Sequence, residues 1–316
     1  MIVTCGEALV DFVALPSSEP RAGGGRAFLE LLGGSPYNVA RGVGRLGSPA
    51  GFAGAISTDF FGDELVAGLA DCGVTLDRVQ RLDRPTTLSF VRLDGGGPSY
   101  AFYSAESADR HFSADPDVLL AGLGALHVGS NSLVLEPAAT AFERLAAAAA
   151  ARGALVSLDP NVRPRLVADR RSYLERLDRL VRIAGIVKLS DEDLDFIEPG
   201  AAPGGAAERL LGAGAALVVV TSGAGGARAW TASGTASVVA PEVDVVDTIG
   251  AGDGFTAGLL ARLDEHGRLS RAAIAALSPG DLDALLRFAA AVAATVCTRR
   301  GADMPTREEV AALGLL

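Results

Sequence analysis

Short apolar runs alternate with longer helical stretches from residue 2 to residue 221, and this alternation leaves a chain few ways to fold. Ile2–Cys5, Ala50–Ile56, Ala125–Val128, Ala154–Leu158, Ile186–Leu189 and Leu217–Thr221 read as strands. Ser35–Leu46, Glu64–Asp71, Pro137–Arg152, Arg170–Ile183 and Ala206–Gly212 read as helices. Apolar strands separated by helices form a mostly parallel sheet covered on both faces, so the expected fold class is α/β. Beyond Asp247 the pattern is helical, over Gly254–Leu263, Arg271–Ala276 and Asp281–Thr298. Two segments break the rhythm. Asp11–Leu32 alternates weakly around Gly23–Gly25, and Thr86–Tyr103 has two β-prone arms around Asp94–Pro98, as in a hairpin. Both are expected in a small accessory sheet. No Pro/Ser linker divides the 316 residues, so a single domain is expected over 1–316.

Charge and composition exclude several partners. With 38 acidic against 28 basic residues the formal charge is −10, which argues against a nucleic-acid footprint and against an acidic membrane surface. No apolar run reaches the ~18 residues of a membrane span. The N-terminus MIVTCGEALVDF has no basic segment and no cleavage site, so a cytoplasmic protein is expected. Cys5, Cys72 and Cys297 form no disulfide framework, and with His111, His127 and His266 they are too scattered for a zinc site.

Three glycine-bearing segments are candidates for chemistry. Gly42, Gly44 and Gly47 match Gly-x-Gly-x-x-Gly, which marks a dinucleotide site when it follows a strand and opens a helix. Here it closes one: Ser35 is a good N-cap, Pro36 suits the first turn, and Gly47 stands where a C-terminal glycine belongs. Lys188, the sole lysine, lacks the preceding glycines and following Ser/Thr of the common phosphate loop. In Val246–Leu260, by contrast, Gly250, Ala251 and Gly252 lie directly before an apolar helical run, so backbone N–H groups converge at a helix N-terminus and form an anion site. Asp253 beside that site either caps the helix or accepts a proton from a hydroxyl that attacks phosphorus. At Gly33-Gly34-Ser35-Pro36-Tyr37-Asn38, glycines before a capped helix admit a close ligand, and Asn38 either bonds sugar hydroxyls or faces solvent. Asp11 binds two neighbouring hydroxyls or is a loop charge.

Together these residues resemble the ribokinase-like (PfkB-type) carbohydrate kinases over nearly the whole chain. The resemblance rests on GGSPYNVARGVGRLG at 33–47 and DTIGAGDGFTAGLL at 247–260, with GAISTDFFGDEL at 54–65, TSGAGGA at 221–227 and CTRRGADMPTREEV at 297–310 between and beyond. It implies a three-layer core with a mostly parallel sheet, and a small β-sheet lid formed by about 11–32 and 86–104. It implies transfer of the ATP γ-phosphate to a hydroxymethyl group, with Asp253 as base and Gly250, Ala251 and Gly252 as anion hole. By motif position, Asp11, Gly33, Gly34, Asn38, Tyr103, Asn161 and Arg163 would hold the sugar. Lys188, Ser190, Asp193, Thr221, Gly223 and Gly226 would lie on the nucleotide side. Mg²⁺ would accompany the phosphates, with Ser190 and Asp193 where the family has Asn and Glu. K⁺ would sit near Asp247, Ile249, Arg299 and Gly301.

The closest subgroup by motif is fructokinase, through Gly6–Phe12, Gly33–Ala40, Asp159-Pro160-Asn161-x-Arg163 and Val187–Asp191. The rival is 2-keto-3-deoxygluconate kinase, whose substrate carboxylate wants an arginine fork. In relatives of that kind an Arg directly follows the lid tyrosine; here Tyr103 is followed by Ser104, and Arg110 lies further on. Other readings are a nucleoside or small-alcohol kinase on the same fold, a non-catalytic sugar or nucleotide sensor, and a dinucleotide oxidoreductase. Apolar residues on both hairpin arms also suggest a homodimer through the lid.

Overall fold

The computed structural model describes residues 1–15, 27–94, 97–113 and 115–315. Its first strands are β1 (Ile2–Cys5), β2 (Leu9–Ala14), β3 (Phe28–Gly33), β4 (Ala50–Ser57), β5 (Val74–Thr75), β6 (Val79–Leu82), β7 (Thr87–Asp94) and β8 (Gly97–Tyr103). They are followed by β9 (Ala125–Gly129), β10 (Leu155–Asp159), β11 (Ile186–Ser190), β12 (Leu217–Thr221), β13 (Ala227–Thr231) and β14 (Gly234–Val238). The large sheet has the order β14-β13-β12-β11-β10-β9-β1-β4-β5, with β6 also paired to β4. It is parallel from β12 to β5, and β13 and β14 close one edge as an antiparallel pair.

Side chains alternate across each strand, and the central strands are apolar on both sides. Ile2, Phe52, Ala125, Leu155, Ile186 and Leu217 pack on one face, with the helices Ser35–Arg45, Phe60–Ala70, Ala251–Glu265 and Pro279–Cys297. Val3, Leu126, Val156, Val187 and Val218 pack on the other, with Ala138–Ala151, Arg170–Ile183 and Pro203–Gly212. The result is the expected α/β/α three-layer arrangement. The glycine motif serves this packing: a Cβ on Gly42 would lie 2.6 Å from the Ala257 Cβ, and one on Gly44 would strike the Cys72 carbonyl. Gly47 has φ 86° and ends the helix through its N–H bond to the Gly44 carbonyl.

The two segments that broke the pattern form a second sheet of order β3-β2-β7-β8. Its β2 and β3 begin and end slightly outside the expected 11–32, at Leu9 and Gly33, and Gly23–Gly25 lie outside the described residues. The sheet is tied to the main body at Thr86. Asp59, which caps the helix Phe60–Ala70 through the Gly62 N–H, also accepts from the Thr86 N–H at 2.9 Å and from its hydroxyl at 2.7 Å. Among the described residues no helix is long and apolar enough to cross a membrane.

Candidate active site

The C-terminal ends of parallel strands are where an open α/β sheet receives ligands, and the expected site residues converge there. The helix Ala251–Glu265 enters through Gly250, at φ 80°, where a Cβ would lie 2.5 Å from the Ala302 Cβ. The Ala251 N–H closes a turn on the Thr248 carbonyl at 3.2 Å. Helix geometry leaves the N–H groups of Gly252 and Asp253 without intrahelical acceptors, so the anion hole expected at Gly250–Gly252 opens chiefly at its second half. Asp253 is only 6% exposed. Its carboxylate accepts from Ser35 Oγ at 2.6 Å and from Asn38 Nδ2 at 2.8 Å. Burial raises its pKa to about 6 against the pull of those two bonds, and the Asp159 charge adds to the rise. Such a carboxylate is mostly ionised at neutral pH yet more basic than a surface aspartate, as a general base requires.

The residues expected on the sugar side are linked to Asp253 through Asn38 and Arg163, with one exception. Asp11 accepts from the Ser89 hydroxyl and lies so close to Gly33 that a side chain there would strike its Oδ2. Burial raises the Asp11 pKa, and the Arg163 charge works against that rise there and at Asp253. Arg163 is held in turn by Asn161, which takes an unusual φ of 41° and accepts from Nη1 through Oδ1 at 2.6 Å and its carbonyl at 3.0 Å. Gly34, at φ 106°, is the helix N-cap and bonds the Asn38 N–H through its carbonyl at 2.8 Å. The exception is Tyr103. Asp11 pairs with Ser89 and Ser89 with Phe102, so those three share a face, whereas Tyr103 pairs with Leu88 and points to the other. There it meets Phe90 with ring centroids 5.6 Å apart, and Phe90 stacks on Phe12 at 5.2 Å. Of the two aromatic residues expected either on the sugar ring or on the lid's apolar face, Phe102 thus lies on the Asp11 face and Tyr103 on the aromatic one.

On the nucleotide side the strands β11 and β12 end at Ser190 and Thr221, which are register neighbours. Thr221 Oγ1 donates to the Leu189 carbonyl, and residues 222–225 are exposed. A Cβ on Gly223 would meet open space; one on Gly226, at φ 90°, would strike the Val238 carbonyl, so Gly226 shapes the chain turn into β13. Asp193 has a structural task. It completes a capping box with Ser190, taking its N–H and hydroxyl at 2.8 Å each on Oδ2, and its Oδ1 takes the Val162 N–H at 2.6 Å. Ser190 and Asp193 are thus engaged with each other, and among the described residues no cluster of three or more His, Cys, Asp or Glu is arranged to hold a metal. This donor set fits a Mg²⁺ that arrives on nucleotide phosphates better than one caged by protein carboxylates. Asp247 accepts from the Ile249 N–H at 3.0 Å and the Gly301 N–H at 2.9 Å, which brings these three residues together. The Arg299 side chain turns to Asp303 and Glu309, whereas the K⁺ expectation concerns the carbonyls of Ile249, Arg299 and Gly301.

Several residues at the site had no local signal. Ser35, expected as N-cap, is the first helical residue, and its hydroxyl serves Asp253 instead. Glu7 is buried; it accepts the Ser35 N–H at 3.3 Å, the Ser132 N–H at 3.1 Å and the Ser132 hydroxyl, and so ties β1 to the loop after β9. Burial raises its pKa. Asp159 and Thr256 join Lys188 beneath the anion hole.

The chain is similar to known proteins over nearly its whole length. The model of the pfkB family of carbohydrate kinases matches residues 1–309. A fructokinase of Rhizobium leguminosarum bv. trifolii is 38% identical over 278 residues, 88% of this chain and 84% of that one. A fructokinase of Xylella fastidiosa, solved with bound ATP, superposes with a TM-score of 0.89 at 35% identity over 99% of this chain and 97% of that one. A fructokinase of Vibrio cholerae O395, solved with fructose, ADP and calcium ion, gives 0.81 at 27% identity over 98% of both. The chain belongs to the pfkB family of carbohydrate kinases, close to fructokinase, and is a phosphotransferase that acts on a sugar hydroxyl.

Proposed function

We propose that this chain is a fructokinase that transfers the γ-phosphate of ATP to the 6-hydroxyl of D-fructose. The observation that carries the reading is the buried Asp253 in the first turn of a glycine-led helix, with its two oxygens fixed by Ser35 and Asn38. Asp11 and Asn38 bind the sugar hydroxyls and turn the hydroxymethyl group toward Asp253. As the sugar oxygen forms its bond to the γ-phosphorus and the bond to the β-phosphate oxygen breaks, the hydroxyl proton passes to the Asp253 carboxylate and ADP leaves. The N–H groups of Gly252 and Asp253 face the charge that spreads over the transferring phosphoryl oxygens. Mg²⁺ bound with the nucleotide would neutralise phosphate charge. Potassium would sit where Asp247, Ile249 and Gly301 meet; replacing K⁺ by Na⁺ in the assay tests it.

A neutral sugar is favoured over a sugar acid by the state of Arg110. Its guanidinium donates to the carbonyls of Glu136 and Ser104, which leaves Arg163 as the arginine beside Asp11. A carboxylate substrate needs a free fork. On the same reading the sheet β3-β2-β7-β8 is a lid over the sugar, and the exposed Tyr103 with Phe90 beneath it joins two copies, while Phe12 on that face packs on Phe61 of the main body; sedimentation at micromolar concentration tests the dimer. The decisive experiment is ADP release with fructose, ribose, aminoimidazole riboside and 2-keto-3-deoxygluconate, with an NAD(P)H control. Fructose should give the highest kcat/KM; a higher value for the sugar acid overturns the substrate, and no ADP from any acceptor overturns the kinase reading in favour of a sensor.

A further inference from the structure

Beneath the anion hole lies an ion pair that the proton transfer above does not use. Of the 28 basic residues Lys188 is the sole lysine, and it is 4% exposed. Its Nζ donates to Asp159 Oδ2 at 2.7 Å, and Asp159 is 2% exposed. The same oxygen lies 3.2 Å from Thr256 Oγ1, which is also 3.1 Å from the Gly252 carbonyl one turn earlier in the helix. A Cβ placed on Gly252 would lie 3.6 Å from Lys188 Nζ, so the ammonium sits directly against the floor of the anion hole. Asp159 Oδ1 is buried without a hydrogen-bond partner.

Stability is a poor reason for this arrangement. A buried ion pair seldom repays the loss of hydration of both charges, and apolar residues of similar volume often do as well or better. The site suggests a different task. Asp253 must stay ionised while a phosphoryl group, itself negative, comes to the adjacent N–H groups. The groups that face it are the neutral donors Ser35 and Asn38 from the helix Ser35–Arg45, Asp159 and Arg163 from β10 and the loop after it, and Lys188 from β11. The helix Pro279–Cys297 turns Val292 and Val296 toward this turn. We propose that Lys188 and Asp159 are positioning residues for the kinase reaction. Asp159 fixes the first turn of the helix through Thr256 and holds the Lys188 ammonium under Gly252, where its charge favours the ionised Asp253 and offsets that of the arriving phosphate. A compact ammonium fits against Gly252 as a planar guanidinium does not. Burial opposes the lysine charge, but the Asp159 carboxylate outweighs it, with further contributions from Asp193 on the helix after β11 and then from Asp253, and the ammonium is held above its ordinary pKa.

This inference rests on the reading of Asp253 as base, and the experiment separates the two. kcat/KM for fructose is measured against pH for the wild type, Asp159→Asn, Lys188→Met, the double variant and Asp253→Asn. The acid limb reports the base in the free enzyme. Lys188→Met should move it up by about one unit, Asp159→Asn down by about one unit, and the double variant should return to within about half a unit of wild type. If Lys188→Met does not fold because Asp159 is left unpaired, the lysine's effect is read as the double variant against Asp159→Asn, where no carboxylate is stranded; the limb should again rise by about one unit. A merely structural role would lower activity at every pH and leave the limb in place, and a limb that stays put or moves the same way in both comparisons overturns the proposal. Near-wild-type turnover in Asp253→Asn overturns the base itself, whatever Lys188 does.

Discussion

Asp253 and Glu309 both stand in the first turn of a helix, and both helices present their positive end to a carboxylate. Their chemistry is opposite. Glu309 completes a capping box with Thr306, accepts that residue's N–H at 2.7 Å, and meets Arg45 and Arg299 at 3.1 Å each. The Thr306 N–H, outweighing what burial there is, brings its pKa down to about 2, with help from both arginines. Asp253 has two neutral donors and little water, and rises to about 6. A helix terminus thus permits a carboxylate without setting its basicity; desolvation and the charge of the partners decide. The surface site is built for stability, and the buried one accepts a cost in stability for a proton acceptor that works near neutral pH.

The largest test of this contrast is Asp253→Asn. The amide keeps the shape: its oxygen accepts from one neighbour, and Asn38, whose Oδ1 is buried without a partner, rotates to receive its NH₂. kcat should fall by roughly 10²–10⁴ with ATP affinity within a few-fold, measured by ADP release and equilibrium binding. The same substitution should stabilise the protein at pH 7. A folded pKa of about 6 against 3.8 means that this group's contribution is fully present below pH 3.8 and lost as pH rises through 6. The corresponding loss is about 3 kcal/mol at most, so the amide should raise the melting temperature by a few degrees. Lower melting with lost activity would mean that Asp253 is an ordinary structural cap, and the contrast with Glu309 would break.

Next comes the wild-type pH profile. kcat/KM should fall about tenfold per unit as pH drops below about 6, because protonation removes the base. Ser35→Ala sharpens this. The Ser35 hydroxyl lowers the Asp253 pKa, so its loss should move the limb upward by about half to one unit, with activity at pH 7 lower by up to about twofold and almost unchanged at pH 8.5. An unmoved limb would assign the basicity to burial alone.

The contrast also separates what the chain reveals locally from what it conceals. Ile2–Cys5, Leu217–Thr221 and Arg170–Ile183 match their expected bounds because both-sided apolar runs and a capped amphipathic stretch are local signals. β13 and β14 escaped: they are an antiparallel edge pair with interrupted burial, so neither looks like a central strand. Asp253 and its glycines are legible because the anion site is made by consecutive residues. Its hydrogen-bond partner Ser35 lies 218 residues away, and Glu7 reaches Ser132 across 125, so neither role has a local trace. Ser190-x-x-Asp193 has the spacing of a capping box, which the structure forms; its metal-organising role is what the resemblance alone implies. Between Phe102 and Tyr103 one residue in a period of two exchanges the faces of the sheet, and local sequence does not say which of the two faces Asp11.

The smallest expected effect lies at the other pole of the comparison. Glu309→Gln removes a carboxylate whose side chain is 39% exposed, so its pairs with Arg45 and Arg299 are screened by solvent. It should cost under about 1 kcal/mol and leave kcat/KM unchanged, as read by thermal melts and ADP release. Because the folded pKa lies below the ordinary 4.5, the stabilisation is present above that value and lost as pH falls through about 2, the reverse of Asp253. The difference in melting temperature between Glu309→Gln and wild type should therefore hold down to about pH 4.5 and shrink from there toward pH 2. For Asp253→Asn the difference has the other sign and also closes toward acid, as the native aspartate takes up its proton. Two variants at two helix starts should give stability curves that diverge from a common acid limit, one below wild type and one above it. If both fall on the same side, the helix terminus rather than burial sets the energy of these carboxylates.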